Sequence, residues 1–89
     1  MPQTKLSLAA FETGYPIVDL FFDAGLEPTK SEARRLVQQG GAFVSVPGNG
    51  SGFKAISDVN TRIGADRLNA EGELILRAGK KRYCLVTTG

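Results

Sequence analysis

Apolar side chains recur at helical spacing in the first half of the chain. Over residues 17–24 they occupy positions i, i+3, i+4 and i+7, while Asp19 and Asp23 share the opposite face. Gly25 follows directly, and glycine commonly supplies the left-handed conformation at a helix end. The pattern predicts an amphipathic helix that buries one face.

A second helix is predicted between two clear end signals. Thr29 and Glu32 have the spacing of a capping box, in which each side chain satisfies a backbone N–H at the helix start. Two glycines follow at residues 40–41, so the helix is expected to end near Gln39. The two helices would then form a helix–turn–helix pair.

Placing the second helix at about 100° per residue separates an apolar face from a polar one. The apolar side holds Ala33, Leu36 and Val37. The polar residues around the other side are Lys30, Ser31, Arg34, Arg35 and Gln38. Charges on an amphipathic helix are usually an ordinary solvated surface, so this face alone does not indicate a binding site.

The second half of the chain has strand patterns separated by glycine. Strands are predicted over residues 42–46, 73–77 and 82–86, with a weaker one near 55–57 and irregular chain beyond it. The last two are joined by a tight turn at 78–81. Together the patterns predict an α+β fold, a small helix-turn-helix pair packed on a short, mostly antiparallel sheet with a C-terminal basic hairpin.

The remaining segments fit a single domain over residues 1–89. Residues 1–14 are expected to form an entry segment, with a short helical or extended stretch over residues 6–11. Residues 47–54 read as a flexible loop inserted between strands. A phosphate-binding glycine loop is not expected there, because the Gly-Lys-Ser/Thr arrangement is missing.

Positive charge is concentrated although the net charge is only +2. Residues 30–39 sum to +2 and residues 77–82 to +4, which leaves −4 for the rest of the chain. If the hairpin folds against the helices, about five to seven cations would face one way and neutralise backbone phosphates. Phe21, Phe43 and Tyr83 lie in apolar periodic contexts, so we expect them in the core and not stacked on bases.

The composition argues against several kinds of chemistry. The chain has no histidine and a single cysteine, Cys84, so neither an internal disulfide nor a usual zinc site can form. The carboxylates are scattered, and we expect no catalytic residue, metal or cofactor. Cys84 lies in an apolar run and is expected to be buried. No run of about 18 apolar residues exists, so no membrane partner is expected.

Two segments of the sequence resemble a known RNA-binding family. Residues 17–26 and 29–44 are similar to the fold named after ribosomal small-subunit protein four, and residues 72–86 resemble the closing hairpin of its tyrosyl-tRNA synthetase version. The resemblance extends over residues 15–86. It implies an appended C-terminal domain of a bacterial or mitochondrial-type synthetase that binds tyrosine tRNA near the long variable arm.

The resemblance also implies which residues bind RNA. By position they are Lys30, Ser31, Arg34, Arg35 and Gln38 on the helix and Lys80, Lys81 and Arg82 on the hairpin. The loop at 47–54 is longer than in compact bacterial members and resembles insertions in fungal mitochondrial ones. That likeness implies a location in the mitochondrial matrix, with the bacterial cytoplasm as the alternative. Some of these fungal enzymes also assist splicing of group I introns, so group I intron RNA is a candidate further partner, although the residues themselves do not indicate it.

Other interpretations of the same surface stay open. The domain could belong to another RNA-modifying or ribosome-associated protein, because the fold also resembles the front part of some pseudouridine synthases. Alternatively, the basic face could bind an acidic protein. All of these predict a cationic surface, and selectivity for tRNA distinguishes them.

Overall fold

The computed structural model describes residues 2–46 and 52–88. Its elements, in chain order, are β1 (Gln3–Lys5), α1 (Leu8–Thr13), β2 (Tyr15–Pro16), α2 (Ile17–Asp23), α3 (Lys30–Gln38), β3 (Ala42–Ser45), β4 (Phe53–Ile56), β5 (Arg62–Ile63), a 3₁₀ turn (Ala65–Arg67), β6 (Glu73–Ala78) and β7 (Arg82–Thr87). None of the described helices is long and apolar enough to cross a membrane.

Five of the strands form one sheet in the order β1-β7-β6-β3-β4, and β2 pairs separately with β5. The β1–β7 pair is parallel and the other pairs are antiparallel. The predicted α+β fold and its mostly antiparallel sheet are confirmed. In the entry segment, most of residues 6–11, which were expected to be helical or extended, lie in the helix α1, and β1 precedes them.

The helix ends follow from the local signals in the sequence. The Glu32 backbone N–H donates to the Thr29 hydroxyl oxygen at 3.1 Å, which is the first half of the predicted capping box. Gly25 and Gly40 adopt φ values of 79° and 77° after α2 and α3. Residues that carry a side chain rarely adopt such left-handed backbone conformations, so glycine is favoured where each helix ends.

The core lies between the helices and one face of the sheet. Its largest fully buried side chains are Phe11, Ile17, Leu20, Phe21, Val37, Val44, Ile63, Leu74, Leu76, Cys84 and Val86. Burial alternates along β3, β6 and β7, so each strand presents one set of side chains to the helices and another to the outer face of the sheet. Cys84 is buried as predicted, and this burial raises the pKa of its thiol.

Tyr15 joins the start of the fold to α2. Its ring packs 5.0 Å from that of Phe11, and its hydroxyl donates a hydrogen bond to the Asp23 carboxylate. Burial, and then this hydrogen bond, raise the pKa of the Tyr15 phenol well above its ordinary value.

The structure corrects two predictions about the strands. The loop was expected to extend to Lys54, but Phe53 and Lys54 belong to β4, since pairing with β3 orders them. Residues 47–51 of that loop lie outside the described residues. Phe43 and Tyr83 were expected in the core, but they are half-buried on the outer face, because the inward positions are taken by their sequence neighbours. Phe21 is in the core as expected.

Candidate nucleic-acid interface

The polar face of α3 is open to solvent. Its five predicted residues are all exposed: Lys30, Ser31, Arg34, Arg35 and Gln38. The opposite side of the helix holds Ala33 and Val37, both with no exposed surface. The helical period therefore fixes which side chains can reach a ligand.

The C-terminal hairpin contacts the chain at both ends of α3. Before the helix, the Arg82 guanidinium donates to the Leu26 carbonyl at 2.7 Å and to the Glu27 carboxylate at 2.5 Å. After the helix, the Gly79 N–H donates to the Gly41 carbonyl at 2.8 Å. These contacts place the turn that carries Lys80 and Lys81 beside α3, an adjacency that the sequence alone could not establish.

A shallow depression of about 200 Å³ separates α3 from the hairpin. It is lined by Glu27, Glu32, Arg35, Leu36, Gln39 and Arg82. Its two carboxylates offset its two guanidinium groups. The depression is therefore a polar seam between the two basic clusters and not a cage for an anion.

Three of the predicted cations already have acidic partners. Lys30 lies 3.4 Å from Asp19, and Arg35 lies 3.7 Å from Glu32. The side chains of both pairs are between 37% and 65% exposed, so each ion pair contributes at most about 1 kcal/mol and can exchange for a phosphate. The third cation, Arg82, pairs with Glu27, whose side chain is buried.

The pair formed by Glu27 and Arg82 has one buried member. The Glu27 side chain is 9% exposed, whereas that of Arg82 is 54% exposed. In the described part of the chain, Glu27 is the one charged residue classed as buried. A buried carboxylate is costly unless it is paired and hydrogen-bonded, so Arg82 is needed to neutralise Glu27 as well as to hold the hairpin.

Three other cations have no such partner. Within residues 2–46 and 52–88, no carboxylate lies within 4.0 Å of the charged groups of Arg34, Lys80 or Lys81. All three are exposed. The capacity of this surface to bind phosphate is therefore concentrated on one helix residue and on the hairpin turn.

The chain is similar to known proteins over almost its whole length. Residues 1–86 match the family model described as the tyrosine–tRNA ligase SYY-like C-terminal domain. The chain belongs to this family. Similar proteins include the tyrosine–tRNA ligases of Treponema denticola, 49% identical over 83 residues, and of Caulobacter vibrioides, 40% identical over 86 residues.

These two matches cover 93% and 97% of this chain but only 19% of each relative. A third, the tyrosine–tRNA ligase of Desulfosudis oleivorans, is 39% identical over 92% of this chain and 17% of its own length. The chain thus spans about a fifth of the length of the relatives it matches.

Within this tyrosine–tRNA ligase C-terminal domain, sequence reasoning missed two features of the interface. The sequence analysis did not predict that Glu27 pairs with the hairpin, although an acidic residue between the two amphipathic helices is visible in the sequence. Arg77 was counted with the basic hairpin, but the structure places its guanidinium 4.0 Å from the Phe43 ring, on the outer face of the sheet. Both features depend on contacts between residues distant in sequence.

Proposed function

We propose that this domain binds tRNA through one basic surface formed by α3 and the hairpin turn, with tyrosine tRNA as the cognate ligand. The surface comprises Lys30, Ser31, Arg34, Arg35, Gln38, Lys80, Lys81 and Arg82. The observation that carries the proposal is the set of contacts from Arg82 and Gly79 to the two ends of α3. They hold the turn that carries one basic cluster next to the helix that carries the other, which supports a single surface formed by both.

The residues of the basic surface have different parts in this proposal. Arg34, Lys80 and Lys81 bind backbone phosphates, because they are exposed and have no acidic partner among the described residues. Lys30 and Arg35 exchange weak ion pairs for phosphates. Ser31 and Gln38 donate hydrogen bonds to phosphate or ribose oxygens. Arg82 holds the hairpin in position through Glu27 and Leu26.

The proposal extends to the protein of which such a domain is part. The relatives are named as tyrosine–tRNA ligases and are about five times longer than this chain. We infer that the domain supplies tRNA affinity next to a separate catalytic region and binds near the long variable arm. The matched relatives are bacterial, which favours the bacterial cytoplasm over the mitochondrial matrix. Binding of group I intron RNA rests on the loop at 47–54 and stays a prediction.

A binding titration at low salt tests the proposal. Tyrosine tRNA should bind more tightly than a tRNA with a short variable arm, and Arg34→Glu should weaken the binding by about tenfold, or about 1.4 kcal/mol. Lys5→Glu is the matched control, since it makes the same change of charge beside Thr87, at the end of β7 that is remote from the hairpin turn. The affinity of Lys5→Glu for tyrosine tRNA should stay within about twofold of the affinity of the unmodified chain.

Two outcomes would contradict parts of this account. Equal binding of both tRNAs would remove the specificity for tyrosine tRNA and leave a general RNA-binding domain. Absence of binding to either tRNA at low salt would overturn RNA binding and favour an acidic protein as the partner. Circular dichroism of each variant would establish that the fold is retained.

A further inference from the structure

The outer face of the five-stranded sheet has an unusual composition. A sheet covered by helices on one side commonly carries polar residues on the other. Here the outward positions include five large apolar or aromatic side chains, each half-buried: Phe43, Phe53, Ile75, Tyr83 and Leu85. The described helices pack on the opposite face. A contiguous apolar surface of this kind is a candidate contact site for a ligand or partner.

Four of the outer side chains form a continuous cluster, here called the aromatic platform: Phe43, Phe53, Arg77 and Tyr83. Arg77 lies in register with Phe43 on one neighbouring strand and with Tyr83 on the other. Its guanidinium carbon lies 4.0 Å from the centre of the Phe43 ring and 5.2 Å from that of Phe53. The rings of Phe53 and Tyr83 are 6.1 Å apart. The platform thus crosses β4, β3, β6 and β7.

Arg77 is held in the platform by stacking and not by charge pairing. Within the described ranges, 2–46 and 52–88, no carboxylate lies within 4.0 Å of its guanidinium. Its Nε atom is buried and has no hydrogen-bond partner there. An unsatisfied buried donor is unfavourable, so stacking on the rings of Phe43 and Phe53 has to offset this cost. The stacked side chain leaves a positive, planar group among aromatic rings.

The chemistry of the platform fits an unpaired nucleobase. Bases stack on aromatic rings and on the plane of an arginine, and their phosphates require nearby cations. The platform is continuous with such cations, because β6 and β7 lead directly into the turn that carries Lys80 and Lys81. The centre of the platform is itself cationic, whereas the acidic residue of β6, Glu73, lies at the other end of that strand.

We propose that the aromatic platform stacks one or two unpaired nucleotides of the bound RNA, with their phosphates directed towards Lys80 and Lys81. This inference rests on the proposed RNA-binding function and adds a second contact surface to it. Arg77 stacks on Phe43, while Phe53 and Tyr83, whose ring centres are 6.1 Å apart, provide further ring surface. Stacking of this kind tolerates different bases, so the platform selects unpaired nucleotides and not a sequence.

Tyrosine fluorescence reports directly on this contact. The chain has two tyrosines and no tryptophan, so Tyr15→Phe leaves Tyr83 as the single reporter. In that variant, hexauridylate at low salt should quench the fluorescence of Tyr83 in a saturable manner. Phe53→Leu keeps an apolar side chain but removes a ring, and it should weaken hexauridylate binding by about fivefold or more. A purely structural role for these rings would produce no quenching.

A parallel titration with tyrosine tRNA separates this inference from the proposed function. Suppose that tRNA binds, that hexauridylate does not quench Tyr83, and that Phe53→Leu does not weaken hexauridylate binding. The proposed stacking on the platform is then overturned, while the proposed role of the basic surface stands. If neither RNA binds the unmodified chain, the proposed function is overturned together with the platform. Thermal unfolding of Phe53→Leu and Tyr15→Phe should show cooperative transitions, which ensures that both variants are folded.

Discussion

The basic surface and the aromatic platform differ in how they are built and in the forces they offer. The basic surface lies on a helix and a turn, and its cations are exposed. The platform lies within four strands, and its side chains are half-buried around one arginine. Interaction with phosphates is long-ranged and weakened by salt, whereas stacking requires direct contact and depends little on salt. In the proposed function, attraction of RNA and stacking of its unpaired bases are therefore separate tasks that different variants can disrupt.

The two regions also depend on different structural supports. The hairpin contacts the segment before α3 through Arg82 and Glu27, which are 55 residues apart in sequence. The platform depends on strand register, which places Phe43, Arg77 and Tyr83 side by side. A change at the first support should therefore damage the basic surface and spare the platform.

The largest effect is expected from breaking the pair of Glu27 and Arg82. Arg82→Ala leaves the Glu27 carboxylate buried without its cation. Loss of a buried pair costs roughly 3–5 kcal/mol, and about 2–3 kcal/mol is expected here because the Arg82 side chain is 54% exposed. Urea unfolding should show this loss. The folded variant should bind tRNA more weakly, while hexauridylate should still quench Tyr83.

A second variant controls for the lost charge and the lost contact. Glu27→Ala combined with Arg82→Ala removes both charges, so the double variant should be more stable than Arg82→Ala alone. Lys5→Ala removes a positive charge elsewhere and should leave the unfolding free energy within about 0.5 kcal/mol of its original value. A stability of Arg82→Ala equal to that of Lys5→Ala would show that the pair does not hold the hairpin.

A smaller effect is expected at the start of α3. Thr29→Ala removes the hydroxyl that accepts the Glu32 N–H at 3.1 Å, and the unfolding free energy should fall by about 1 kcal/mol. The first turn carries Lys30 and Ser31, so tRNA affinity should fall slightly while stacking on the platform stays unchanged. Thr29→Ser keeps the hydroxyl and should retain most of the stability. Equal losses in both variants would mean that the cap is not the cause.

The parts of the fold that the sequence predicted are those determined locally. The ends of α3 follow from Thr29 and from the glycine after Gln39, and helical periodicity identified the exposed residues of that helix. These signals act within a few residues, so they can be read without knowing what packs nearby. The closing hairpin was predicted for the same reason, since its two strands are joined by a short turn.

The parts that the sequence did not predict depend on distant partners. Alternation along β3 and β7 separates two faces but does not say which one meets the helices, so Phe43 and Tyr83 were wrongly expected in the core. The start of β4 at Phe53 depends on its pairing with Ser45. The buried state of Glu27 depends on its pairing with Arg82, and no local sequence pattern predicts that contact.

The salt dependence of binding to tyrosine tRNA tests the central claim most directly. A log–log slope of about −3 to −5 is expected from about five phosphate contacts. The slope should become shallower by about 0.7 to 0.9 in each of the variants Arg34→Ala, Lys80→Ala and Lys81→Ala. Phe53→Leu should reduce the affinity but leave the slope unchanged. A slope that stays the same in all three alanine variants would contradict phosphate binding by the basic surface.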